Sequence, residues 1–97
     1  MRFKDKSVII TGGGGKIANA YATAFAKEGA KLSLPDIARA DSMVKAIQGI
    51  GGTAISMACH VSDESSVKAM VEETVKQFGT VDILINNAAY FMTVWKG

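Results

Sequence analysis

Short β-branched apolar runs alternate along this chain with longer stretches whose apolar residues recur every three or four positions. Ser7 to Thr11 (SVIIT) is the first such run and ends in four glycines, as a buried parallel strand entering a tight turn reads. Ile17 to Glu28 follows, rich in alanine and free of breakers, with Tyr21, Ala24 and Phe25 at helical spacing and Gly29 just past its end; a first helix is expected there. Ala30 to Leu34 reads as a second strand. Pro35-Asp36 marks its exit, because proline is poorly tolerated inside a central strand, and Asp36 is thereby placed at a strand's carboxyl end. From about Arg39 to Ile50 the positions Met43, Val44, Ile47 and Ile50 predict an amphipathic helix, ended by Gly49, Gly51 and Gly52. Thr53 to Ala58 is a third strand. Ser62 as N-cap, with Asp63 and Glu64 in the first turn, opens a third helix whose stripe is Val67, Met70, Val71, Val75 and Phe78, and Gly79 terminates it. Val81 to Ala88 (VDILINNA) is a fourth strand that closes in two asparagines.

This alternation predicts parallel strands joined by right-handed crossovers, a doubly wound α/β arrangement with strand order 3-2-1-4. The fourth strand, with its apolar centre Ile83-Leu84-Ile85, is then an open edge, and such an edge invites association. A homo-oligomer is the expectation. Tyr90, Phe91 and Trp95 read as an aromatic loop after the fourth strand.

Composition narrows the function classes. A content of 48% hydrophobic and 21% charged residues over 97 positions fits one globular domain, not a disordered or fibrous chain. The net charge of +2 is spread without a basic run or basic-aromatic interleaving, so no nucleic-acid partner is expected. No apolar run reaches membrane length, and Val8-Ile9-Ile10 is too short for a signal-peptide core, so no membrane association is expected. The single Cys59 can form no internal disulfide and belongs to no zinc-like cluster. A reducing, cytoplasmic setting fits these features.

Candidate chemistry gathers where strand order reverses, because ligands of such sheets bind in the crevice at the strands' carboxyl ends. Thr11-Gly12-Gly13-Gly14-Gly15-Lys16-Ile17-Ala18 joins the first strand to the first helix. Glycines there either make a plain tight turn or let the backbone approach a pyrophosphate at the helix amino terminus, and the strand-turn-helix context favours the second. Asp36 lies 24 residues after Gly12, close to the spacing of about 20 at which an acid meets the ribose of NAD. Cys59-His60-Val61 leaves the third strand and Asn86-Asn87-Ala88-Ala89 the fourth.

Together these residues resemble the short-chain dehydrogenase/reductase family, which has a TGxxxGxG turn, an acid after the second strand, Asp-Val after the third and NNAG after the fourth. The likeness runs through the chain, from Lys4 to Ala89 in particular. It implies a Rossmann-type sheet, NAD as cofactor, and an alcohol/carbonyl pair as small-molecule substrate. By the same likeness Gly12, Lys16 and Ile17 would line the pyrophosphate, with Gly14 and Gly15 in the same turn. Asp36 would meet the adenosine ribose with Ile37 beside it, and His60 and Val61 would border the adenine. Asn86, Asn87, Ala88 and Ala89 would hold the end of the fourth strand and pass beside the cofactor.

Four positions depart from the pattern: Lys16 and Ala18 replace the second and third glycines, His60 replaces the adenine-side aspartate, and Ala89 replaces the glycine of NNAG. The Lys16 ammonium could partner a phosphate or point to solvent. His60 could touch adenine or be a hydrogen-bonded residue at a strand end. The family's catalytic serine and Tyr-x-x-x-Lys pair have no match, since Phe25 and Val94 stand four residues after Tyr21 and Tyr90. Residues 1–97 are therefore expected to be a partial dinucleotide-binding domain that stops before its catalytic residues and is inactive alone. The alternative is a non-catalytic, stand-alone nucleotide-binding module.

Overall fold

The computed structural model describes residues 2–12, 15–36, 40–60 and 63–86, and of residues 91–94 the backbone. Along the chain these form β1 (Ser7–Ile10), α1 (Lys16–Lys27), β2 (Lys31–Asp36), α2 (Asp41–Gly49), β3 (Thr53–Ala58), α3 (Glu64–Phe78), β4 (Ile83–Asn86) and β5 (Phe91–Val94). The strands make one sheet in the order β3-β2-β1-β4-β5. β1 to β4 are parallel and follow the expected 3-2-1-4 order, with Ile9 opposite Ser33 on one side and Leu84 on the other.

The pleat divides the apolar residues of β1 between two cores, as a strand buried on both faces requires. Val8 and Ile10 join Leu32, Leu34 and Ala54 beneath α1 and α2, while Ile9 joins Cys59 and Val81 beneath Met70 of α3. Ile9, Ile10, Leu32, Leu34 and Ile47 are fully buried, each contributing roughly 2 kcal/mol relative to an exposed position. α1 meets the sheet through Ala18, Ala22 and Ala26, one residue per turn, and their small side chains let the helix approach closely. The apolar positions expected to mark its inner face shift accordingly: Phe25 packs edge-to-face on Phe3, but Tyr21 is 46% exposed.

Three local readings change. Pro35 and Asp36 belong to β2, opposite Met57 and Ala58 of β3, and do not lie beyond the strand's end. The Asp36 carbonyl accepts from the Cys59 N–H at 2.9 Å, so alternation turns the Pro35 nitrogen toward the β1 side, where the pairing with β1 ends at Ser33. In α3 the buried positions are Met70 and Thr74, and Val75 is 42% exposed. Thr74 suits that face because its hydroxyl donates to the Met70 carbonyl at 2.9 Å and lies 2.8 Å from Ser33 Oγ. Ile50, expected on the stripe of α2, is the residue just past that helix and is exposed.

The far edge also differs from expectation. β5 runs antiparallel along β4 with Phe91 opposite Asn86, so Phe91 is in a strand, not a loop, and β4 is paired on both sides. At its other end β4 is anchored on β1 by two hydrogen bonds: Asp82 N–H donates to the Ser7 carbonyl, and Ser7 N–H donates to Asp82 Oδ2, both at 2.9 Å.

Candidate functional site

Parallel pairing carries the ends of β1, β2, β3 and β4 to one edge of the sheet, and the sequence motifs lie on those ends. Gly12 follows β1, Asp36 closes β2, His60 follows β3 and Asn86 closes β4. β1 and β4 are tied together at this edge. The Thr11 N–H donates to the Ile85 carbonyl at 3.0 Å, and Thr11 Oγ1, in a buried residue, lies 3.2 Å from Asn86 Oδ1. Thr11 opens the glycine motif read from the sequence, and the structure adds that it ties β1 to β4.

The turn after β1 reverses at Gly12, whose φ of 67° lies in the left-handed region where a side chain would be strained. Its carbonyl accepts from the Gly15 N–H at 3.0 Å, and Gly15, extended at φ −82° and ψ 165°, is the N-cap of α1. Lys16 is the first helical residue. Lysine at this position therefore keeps an ordinary helical backbone, and the conformation that demands glycine lies at Gly12. Ala18 is fully buried where α1 packs on the sheet, so its methyl is accommodated there.

The helices that leave this edge begin differently. α3 is capped by Asp63, whose carboxylate accepts from the N–H groups of Ser65 and Ser66 at 2.9 and 3.4 Å, and Glu64 stands in its first turn. The cap is thus Asp63, one residue beyond the Ser62 expected, and Ser62 lies outside the described residues. α2 carries Asp41 in its first turn, where the carboxylate accepts a hydrogen bond from the Ser56 hydroxyl. α1 has neither a side-chain cap nor an acid in its first turn. Its leading N–H groups, which no helix can satisfy from within, are left to backbone, solvent or ligand, and its own first turn holds no acid to offset the positive pole of the helix.

Of the remaining candidates, Lys16 and Ile17 are exposed beside this turn, and Asp36 and Asn86 are half-buried. His60 is exposed, and its backbone is held by α3: its N–H donates to Ser66 Oγ and its carbonyl accepts from the Asp63 N–H, both at 3.0 Å. Gly14, Ile37, Val61, Asn87, Ala88 and Ala89 lie outside the described residues. Among the described residues, no helix is long and apolar enough to cross a membrane.

The sequence profile described as short chain dehydrogenase matches residues 6–95. The chain belongs to the short-chain dehydrogenase family. Similar members include peroxisomal multifunctional enzyme A of Dictyostelium discoideum, 40% identical over 97% of this chain and 23% of that protein. The 3-oxoacyl-[acyl-carrier-protein] reductase FabG of Thermotoga maritima is 37% identical over 91% of this chain and 37% of its own length. Among solved structures, hydroxysteroid dehydrogenase from Escherichia coli superposes with a TM-score of 0.85 at 36% identity, over 88% of this chain and 37% of that one. The chain thus spans little more than a third of these short-chain dehydrogenases at most, and it corresponds to their amino-terminal region. Members of the family typically use a nicotinamide cofactor.

Proposed function

We propose that this chain is the NAD(H)-binding portion of a short-chain oxidoreductase that interconverts an alcohol and a carbonyl. The observation that carries the reading is the amino end of α1, which lacks a side-chain cap and an acid and sits behind a glycine turn at the edge where strand order reverses. The chemistry fits a dinucleotide. Backbone donors at a helix amino terminus suit a diphosphate, and the absence of a side chain on Gly15 leaves them open. Asp36, at the end of the adjacent β2, offers carboxylate oxygens that accept from ribose hydroxyls. His60, leaving β3, would border the adenine, and the Thr11–Asn86 contact holds β1 and β4 in register beside the cofactor. A nicotinamide dinucleotide, when bound, supplies the hydride exchange; these residues bind and orient it.

Asp36 favours NAD over NADP, because its carboxylate accepts from free hydroxyls but repels a 2′-phosphate, a like-charge juxtaposition that costs several kcal/mol. Calorimetric titration should find NAD bound more tightly than NADP, by on the order of tenfold or more. Asp36→Asn should narrow that ratio mainly by improving NADP. Equal affinity of the unaltered protein for both would contradict the assignment of Asp36.

A further inference from the structure

We infer that α3 is an association surface whose partner is α3 of a second copy of this chain, packed antiparallel across a two-fold axis. The inference is independent of the nucleotide reading. It starts from the width of the helix's apolar band. Met70 and Thr74, the line of α3 that faces the sheet, are buried. Beside them runs a second line, Val67, Val71, Val75 and Phe78, spaced at four, four and three and therefore on one face of the helix. Val67, Val71 and Phe78 are half-buried, and Val75 is 42% exposed. Val67 and Val71, with Leu84 of β4, lie at the margin of the core that holds Ile9 and Met70. The apolar band of α3 is thus wider than the sheet covers. Meanwhile the edge of β4, where the sequence places association, is taken by β5.

The charges on the outer flank of this second line point to what covers it. Glu64, Lys68, Glu72 and Lys76 are all exposed and follow one another at intervals of four, so acid and base alternate along one row. At 3.6 residues per turn, Lys68 and Glu72 fall on the side of Val71 away from Met70. In a two-fold interface residue i meets residue j of the partner and j meets i. Antiparallel packing about Val71 sets Val67 against the partner's Val75. The same packing sets Lys68 near the partner's Glu72 and Glu64 near the partner's Lys76, so every contact between the two rows joins opposite charges. Parallel packing would set each charge against its own copy. The row therefore selects one orientation of one partner.

The same alternation also supports pairs within a single helix, and the experiment separates the two. Sedimentation equilibrium gives the mass of the chain over a range of concentrations, for the unaltered protein and for Lys68→Glu, Glu72→Lys and Val75→Gln. All three positions are exposed, so circular dichroism of the variants should match that of the unaltered protein. The unaltered chain should form a dimer. Lys68→Glu and Glu72→Lys, each alone, should weaken it about tenfold, since each replaces two exposed pairs of opposite charge with like-charge contacts. An equimolar mixture of these two variants should associate as tightly as the unaltered protein, because the new acid of one meets the new base of the other and the original charges meet likewise. Pairs confined within one helix predict no recovery on mixing. Val75→Gln should weaken the dimer at every salt concentration, whereas the loss in the charge variants should shrink as salt rises. A chain that stays monomeric throughout, a dimer of unchanged affinity in all three variants, or a mixture no tighter than either charge variant alone would each overturn the inference.

Discussion

The first turns of α1 and α3 face the same physical problem at the same edge of the sheet and resolve it in opposite ways. Every helix begins with N–H groups that have no partner inside it. At α3 the chain answers with its own carboxylate: Asp63 accepts from Ser65 and Ser66, and Glu64 complements the dipole. Ser66 Oγ in turn accepts from His60, so the loop from β3 into α3 is fastened by side chains. At α1 the N-cap is a glycine that offers no acceptor, and the first side chain is a cation. The difference separates a helix start closed by a side chain from one that no side chain caps. Side-chain capping alone does not single out α1, since α2 also lacks a side-chain cap; what sets α1 apart is a first turn without an acid, where α2 has Asp41 and α3 has Glu64.

If the comparison is right, exchanging the two solutions should exchange the properties. The largest effect is expected from Gly15→Asp, which gives α1 a carboxylate at its N-cap. The backbone of Gly15 is already extended, and an added Cβ would come no closer than 3.4 Å to the Gly12 carbonyl oxygen, so the variant should fold. Because glycine is itself a tolerable N-cap, the new cap should raise stability by only about a few tenths of a kcal/mol in denaturant titration. The same carboxylate would occupy and repel at the diphosphate position, so NAD affinity should fall by on the order of tenfold or more. Undiminished affinity would break the link between an open helix start and ligand binding. A smaller effect, confined to stability, is expected at the closed end. Asp63→Ala should cost about 1 kcal/mol by the same titration and leave NAD affinity unchanged, and a selective loss of binding there would erase the distinction.

Much of this was legible before the fold was known. The parallel order follows from the alternation of strand and helix patterns, and the proline beside Asp36 points to a strand's carboxyl end, although Pro35 itself lies within β2. Proline is excluded from a strand only where its nitrogen would have to donate. At Pro35 the pairing with β1 has already ended, a fact of register that a single segment cannot reveal. The stripe of α3 was misread at Val75 because hydropathy ranks valine above threonine; Thr74 takes the buried place through hydroxyl contacts with Met70 and Ser33. Phe91 to Val94 was too short and too near the asparagines to read as a strand, and its pairing partner β4 decides the matter. Within the site, the motifs identified what gathers at the edge. They could not show that the left-handed residue is Gly12, that Lys16 is already helical, or that Thr11 meets Asn86.

The central claim, that a nicotinamide dinucleotide binds at the open start of α1 and not at the closed start of α3, is tested most directly by following backbone amides through an NAD titration. With nitrogen-15-labelled protein, the resonances of Gly12, Gly15, Lys16 and Ile17 should shift in a saturable way, together with those of Asp36 and Asn86. Ser65 and Ser66, whose N–H groups already donate to Asp63, should stay in place. Saturable shifts confined to Ser65, Ser66 and their neighbours, or no saturable shift at Gly12 to Ile17, would contradict the account.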